Sequence, residues 1–190
     1  MKIGYSVEGR TDRALLKGLG QRWCPRAELV QGRFRGTSGV SQTREIPNTC
    51  LELQSKGAEV IVFLRDANNE PWRDVLRGEL ARCRPDHQHL TVFGVCDRNV
   101  ECWICADADW ISRETGQPAN EFRAADPKDV LESALGISRD DRKEQAIADL
   151  VSRAPLRNWL VNSSFEAFYD EVRRLGVARD CPVENVRDNP

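Results

Sequence analysis

The stretch Lys2-Ile3-Gly4-Tyr5-Ser6-Val7-Glu8-Gly9-Arg10-Thr11-Asp12-Arg13-Ala14-Leu15-Leu16 decides how the rest of the chain is read. Lys2 to Val7 has the composition of a short strand, and Glu8-Gly9-Arg10 forms a turn. Thr11 is the expected N-cap of the helix that follows, and Asp12 in its first turn suits the positive end of the helix dipole. Pro25 ends this unit.

Outward from it the alternation repeats. Residues 27–34 predict a second strand, which runs into the glycine-rich basic loop Gly32 to Gly39. Residues 41–55 have helical spacing through Ile46, Leu51 and Leu53, weakened early by Pro47. Glu59 to Leu64 is a continuous apolar run, as expected of a central parallel strand covered on both faces. After the polar loop Arg65 to Glu70, Pro71 opens a helix that reaches Cys83. Residues 89–96 predict a fourth strand, 97–99 a turn and 100–113 a helix on which Trp103 and Trp110 share a face. This order predicts an α/β fold: an open, mostly parallel four-stranded sheet with helices on both faces. Beyond Gly116 only helices are expected, over 127–135, 142–153 and 164–175, with residues 181–190 frayed. The reading is thus a core over 1–115 with a helical extension over 116–190 packed on it, served by Trp159, Phe165, Phe168 and Tyr169.

The 190 residues, 40% hydrophobic and 31% charged, have an ordinary globular composition. With 28 basic and 30 acidic side chains there is no global basic excess of the kind that marks a nucleic-acid protein outright. No apolar run reaches the ~18 residues of a membrane span, and residues 1–7 do not read as a signal peptide. The expected location is cytoplasmic, without a membrane partner. Seven irregularly spaced cysteines are then expected as reduced, mostly buried thiols. The competing reading is zinc on the pair Cys102 and Cys105, with Cys83, His87, His89 and Cys96 nearby. The chain contains no GxxxxGK[ST] phosphate loop, so it is not itself a P-loop ATPase.

In open parallel sheets, ligands bind beyond the carboxyl ends of the strands. Three such ends carry acids: Glu8 after the first strand, Asp66 with Asn68 after the third, and Asp97 with Glu101 after the fourth. Hard oxygen donors on one edge are what Mg²⁺ or Mn²⁺ requires, with the remaining ligands coming from water and substrate phosphates. Arg10, Arg65 and Arg98 adjoin these acids and are candidate clamps for phosphate oxygens. Arg33 and Arg35 flank Phe34 in the basic loop, a pairing suited to phosphate contact and base stacking.

The run Val7-Glu8-Gly9-Arg10-Thr11-Asp12 with Leu15-Leu16 resembles the first motif of TOPRIM domains, which occur in topoisomerases, DnaG-type primases and overcoming-lysogenization-defect (OLD) nucleases. Phe63-Leu64-Arg65-Asp66-Ala67-Asn68 falls where that family has its D-x-D metal motif, with Asn68 replacing the second acid. Glu101-Cys102-Trp103-Ile104-Cys105-Ala106-Asp107 resembles the E-x-W-x-x-A-D signature of a bacterial TOPRIM-like family of unknown function. The resemblance implies a metal-dependent nuclease in bacterial anti-phage defence, working with an ABC- or OLD-type ATPase partner on DNA or RNA. It implies Glu8 as general base or metal ligand, and Asp66 with Asn68 as the metal pair. Either Glu101 or Asp97 would supply the charge that Asn68 lacks. The alternative is a TOPRIM-fold module that docks on an ATPase or nucleic acid without cutting.

Overall fold

A computed structural model describes residues 1–33, 39–123, 127–136, 140–177, 179, 181 and 183–188. The chain forms β1 (Lys2–Val7), α1 (Arg10–Trp23), β2 (Glu28–Gln31), α2 (Gly39–Ser55), β3 (Val60–Asp66), α3 (Trp72–Arg82), α4 (Pro85–Gln88) and β4 (Thr91–Cys96). Among the described residues seven helices follow: α5 (Val100–Ile104), α6 (Ala108–Thr115), α7 (Ala119–Phe122), α8 (Lys128–Leu135), α9 (Asp140–Arg153), α10 (Leu156–Trp159) and α11 (Ser163–Val177). The four strands make one parallel sheet in the order β2-β1-β3-β4. From β1 the chain crosses to one side for β2 and then to the other for β3. The topological switch point therefore lies between β1 and β3, whose pairing ends at Val7 and Leu64.

Alternation along β3 supplies both faces. Val60, Val62 and Leu64 join the larger core with α1, while Ile61 and Phe63 join Ile46, Cys50 and Leu53 of α2. The C-terminal helices complete the larger core: Trp159, Phe165, Phe168 and Tyr169 are buried in it together with Leu15 and Leu19 of α1. Helix α11 lies against β4, and Gly94 permits it, since a Cβ there would sit 2.9 Å from Phe168 Cδ2. Helix α9 lies against α1, where Gly18 leaves no room for a side chain below Ala148 and Val151.

Several local expectations are corrected. Gly9, not Thr11, caps α1. The second strand is only Glu28–Gln31, and the fourth begins at Thr91 because α4 occupies the residues before it. His87 is a buried α4 residue. The single helix expected over 100–113 is two, because Asp107 accepts the Trp110 N–H at 2.9 Å and starts a new helix. Trp103 is consequently fully buried and Trp110 only partly so. The tail is not frayed throughout: Cys181, Val183 and Val186 are buried, and Cys181 is disulfide-bonded to Cys24. That pairing also replaces the expectation of uniformly reduced thiols.

Candidate metal centre

At the switch point the first strand delivers Glu8, one residue past the last β1–β3 pair, and the third delivers Asp66, two residues past it. Buried Gln42 of α2 closes this end of the sheet, its Nε2 donating to Ser6 O at 2.8 Å and Leu64 O at 3.3 Å. The turn at Gly9 then brings the first turn of α1 over the same edge, and α5 brings Glu101 from beyond β4. Asp66 Oδ1 accepts the Val100 N–H at 2.9 Å, which fixes the start of α5 to the end of β3. A cleft of about 390 Å³ results, lined by Glu8, Asp12, Asp66 and Glu101. Its outer wall comes from α8 and α9, through Lys128, Glu132, Lys143 and Glu144.

The electrostatics of this cleft are unfavourable in the absence of a cation. Asp12 is 3% exposed; its Oδ2 accepts the Gly9 N–H at 2.6 Å, while its Oδ1 is buried without a hydrogen bond. Burial raises the Asp12 carboxyl well above the usual carboxylate range, and the charges of Glu101 and Glu8 add to it. Asp66 is raised in the same way, by burial first and then by Asp12, Glu101 and Glu8. Burial also raises Glu8, against Arg65, and Glu101, against Lys128 and the Thr11 hydroxyl. Glu8 Oε1 is a second buried oxygen without a hydrogen bond. Such a set holds protons or a cation.

The cleft unites the sequence-derived catalytic residues Glu8, Asp66 and Glu101, and includes Arg10 at its rim. It does not include the others. Asn68 and Asp97 are exposed and do not line it: Asn68 N–H bonds Arg98 O at 2.8 Å, and Asp97 N–H bonds Ser164 Oγ at 3.0 Å. Beside Asp66 the cleft is lined by Asp12 and not by Asn68. Arg65 is 5% exposed and ion-paired, so it is not an open phosphate clamp. Arg33 is ion-paired with Glu52 at 3.8 Å, away from the cleft, and Arg98 does not line it either. Arg35 and Phe34 lie outside the described residues. Within the E-x-W-x-x-A-D run only Glu101 enters the cleft. Trp103 donates to Ser164 Oγ at 2.7 Å in the core, and Asp107 caps α6 and accepts from Asn158 at 2.6 Å.

Sequence reading missed Asp12, Lys128 and Lys143. Asp12 was legible as an acid four residues after Glu8, one helical turn, but its place in the first turn already had a sufficient explanation in the dipole. The lysines come from the distant helical half, and only packing brings them in. Among the described residues no three His, Cys, Asp or Glu side chains are arranged to hold a metal ion by themselves. The donors fit a hydrated Mg²⁺ or Mn²⁺ instead, which takes one or two carboxylates directly and the rest as water. The residues of the zinc reading are split, with Cys96 and Cys105 in one core and Cys83 in the other. Among the described residues no helix is long and apolar enough to cross a membrane. Comparison of the chain with protein-family models, curated proteins and solved structures finds no match.

Proposed function

We propose that the protein is a divalent-cation-dependent phosphodiesterase, a nuclease acting at the cleft between β1, β3 and the first turn of α1. The observation that carries this reading is the convergence of Glu8, Asp12, Asp66 and Glu101 with buried Asp12 Oδ1 lacking a hydrogen bond. One or two of the Glu8, Asp12 and Asp66 carboxylates would hold Mg²⁺ or Mn²⁺ directly and the rest through its water, with Glu101 to accept a proton from attacking water. The bound ion would stabilise charge on a phosphate oxygen and acidify that water. Arg10, Lys128 and Lys143 supply cationic side chains on a rim that an anionic backbone must cross. Action in phage defence beside an ATPase partner rests on the TOPRIM resemblance alone.

The test is incubation of plasmid DNA, single-stranded DNA and tRNA with Mg²⁺ or Mn²⁺, comparing wild type with Glu8→Gln and Asp66→Ala. Cleavage that falls by about 100-fold or more in both variants is expected. Equal behaviour of all three proteins on every substrate would remove the reading. A second reading, a docking module without chemistry, is favoured by the lack of a preformed three-ligand group among the described residues. It predicts no Mn²⁺ binding, which titration of the wild type decides.

A further inference from the structure

Arg65 occupies a position that a surface arginine does not. It lies on the α2–α3 side of β3, opposite Asp66, and its side chain is 7% exposed. A buried guanidinium is unstable without compensating charge and hydrogen bonds. Here the compensation comes from four directions. Nε is 3.6 Å from Glu8 Oε1, and Nη1 is 3.9 Å from Glu79 Oε1 on α3. Nη1 also donates to Thr43 Oγ1 of α2 at 3.0 Å, and Nε to Asp66 O at 3.3 Å. Glu79 is fully buried and does not line the acidic cleft, so the sheet separates it from any substrate.

The geometry points to Arg65 as a positioning residue: seated by Thr43 and Glu79 behind the sheet, it fixes the orientation of the Glu8 carboxylate in the cleft. Glu8 follows the last residue of β1 and has no turn of helix to hold it. The guanidinium meets Glu8 Oε1 through Nε by charge at 3.6 Å, beside the backbone hydrogen bond that the carboxyl accepts from Asp66. A planar fork suits this task and an ammonium does not, since it must meet Glu8, the Asp66 carbonyl and the Thr43 hydroxyl at once. This inference rests on the reading of Glu8 as a cation-binding carboxylate.

Mn²⁺ affinity of wild type, Arg65→Lys and Thr43→Val, read by the electron paramagnetic resonance of free Mn²⁺, tests it. Lysine keeps the charge and removes the fork, so a change in affinity reports orientation rather than lost charge. Arg65→Lys should bind about 10–100-fold more weakly, the range for partners that orient metal ligands, and Thr43→Val should shift in the same direction by less. Circular dichroism and thermal melting establish folding independently of the affinity. A folded Arg65→Lys with wild-type affinity would overturn the inference. If that variant does not fold, Thr43→Val decides, and wild-type affinity there overturns it. A wild type that binds no Mn²⁺ removes the proposed function along with this inference, whereas equal binding by all three removes only the role of Arg65.

Discussion

Helix α1 begins among four carboxylates and ends beside a disulfide, and its two ends are stabilised in opposite ways. At the first turn Asp12 is buried with an oxygen left without a hydrogen bond, against the like charges of Glu8 and Glu101. At the last turn Trp23 is buried against Tyr169, with ring centroids 6.0 Å apart, and Cys24 is bonded to Cys181. There the Tyr169 hydroxyl donates to Glu184 O at 2.9 Å and accepts the Val186 N–H at 3.1 Å, although Trp23 Nε1 is buried without a hydrogen bond. Arg22 pairs with Glu184 on the same segment. One end of the helix carries buried carboxylates at an acidic cleft, and the other is fastened to the tail. A site of unpaired charge is sustained when the scaffold around it is over-determined.

The largest effect should come from undoing the fastened end. Cys181→Ser opens a covalent loop spanning 157 positions. It should cost about 2–5 kcal/mol, or about 5–15 °C in Tm. Calorimetry of the variant, and of wild type with and without reductant, checks this; coincident melts would mean that the two ends do not differ in this way.

The next effect belongs to the charged end and is read by pH. Asp12, Asp66, Glu8 and Glu101 all have folded pKa values raised by burial, and burial pushes Glu79 up to about 8 against Arg65. Carboxyls whose folded values exceed their unfolded values bind more protons in the native state. Their stabilisation is present below the unfolded values near 4 and is lost as pH rises towards 8. Metal-free protein should therefore lose about 3 kcal/mol between pH 5 and pH 8, and Mn²⁺ should restore stability at the upper end. A flat or rising melting profile without metal would contradict the charged-end half of the comparison.

Smaller still is the middle of the helix. A Cβ on Gly18 would stand 2.5 Å from Ala148 O and 2.7 Å from Val151 Cβ. Gly18→Ala should cost about 1–3 kcal/mol in urea unfolding by forcing α9 away. Because α9 also walls the cleft, the same variant should disturb Mn²⁺ binding, which would link the two ends mechanically. The smallest change has the opposite sign. Asp12→Asn keeps the acceptor for the Gly9 N–H and removes a buried charge, so it should raise stability by about 1 kcal/mol, or about 2–4 °C. Cation affinity should fall at the same time. A variant that loses both would place Asp12 among purely structural residues.

Much of this was legible in the sequence because it is local. Val60 to Leu64 could only be a doubly covered strand, and the Glu8-Gly9-Arg10 turn gave the strand-to-helix passage. Asp66 and Glu101 were legible as site acids because strand ends in a parallel sheet share one edge. Asn68 misled because a two-residue spacing within an extended strand would return it to the side of Asp66. Here β3 stops at Asp66 and Asn68 has φ 55°, so its side chain leaves the cleft. Arg65 misled because adjacency to Asp66 in a strand means opposite faces, and its own face is closed by α2 and α3.

By itself the sequence determined the four parallel strands, their alternation with helices, and the placement of Glu8 and Asp66 at strand ends. These follow from hydrophobic period and turn chemistry over a few residues at a time. Tertiary structure decided that Asp12 rather than Asn68 or Asp97 joins them, that α8 and α9 wall the cleft, and that Cys24 meets Cys181 across most of the chain's length. Each of these depends on which distant surfaces exclude water together. That is a property of the packed whole, since burial raises the carboxyl of a capping aspartate far above the value it has in water.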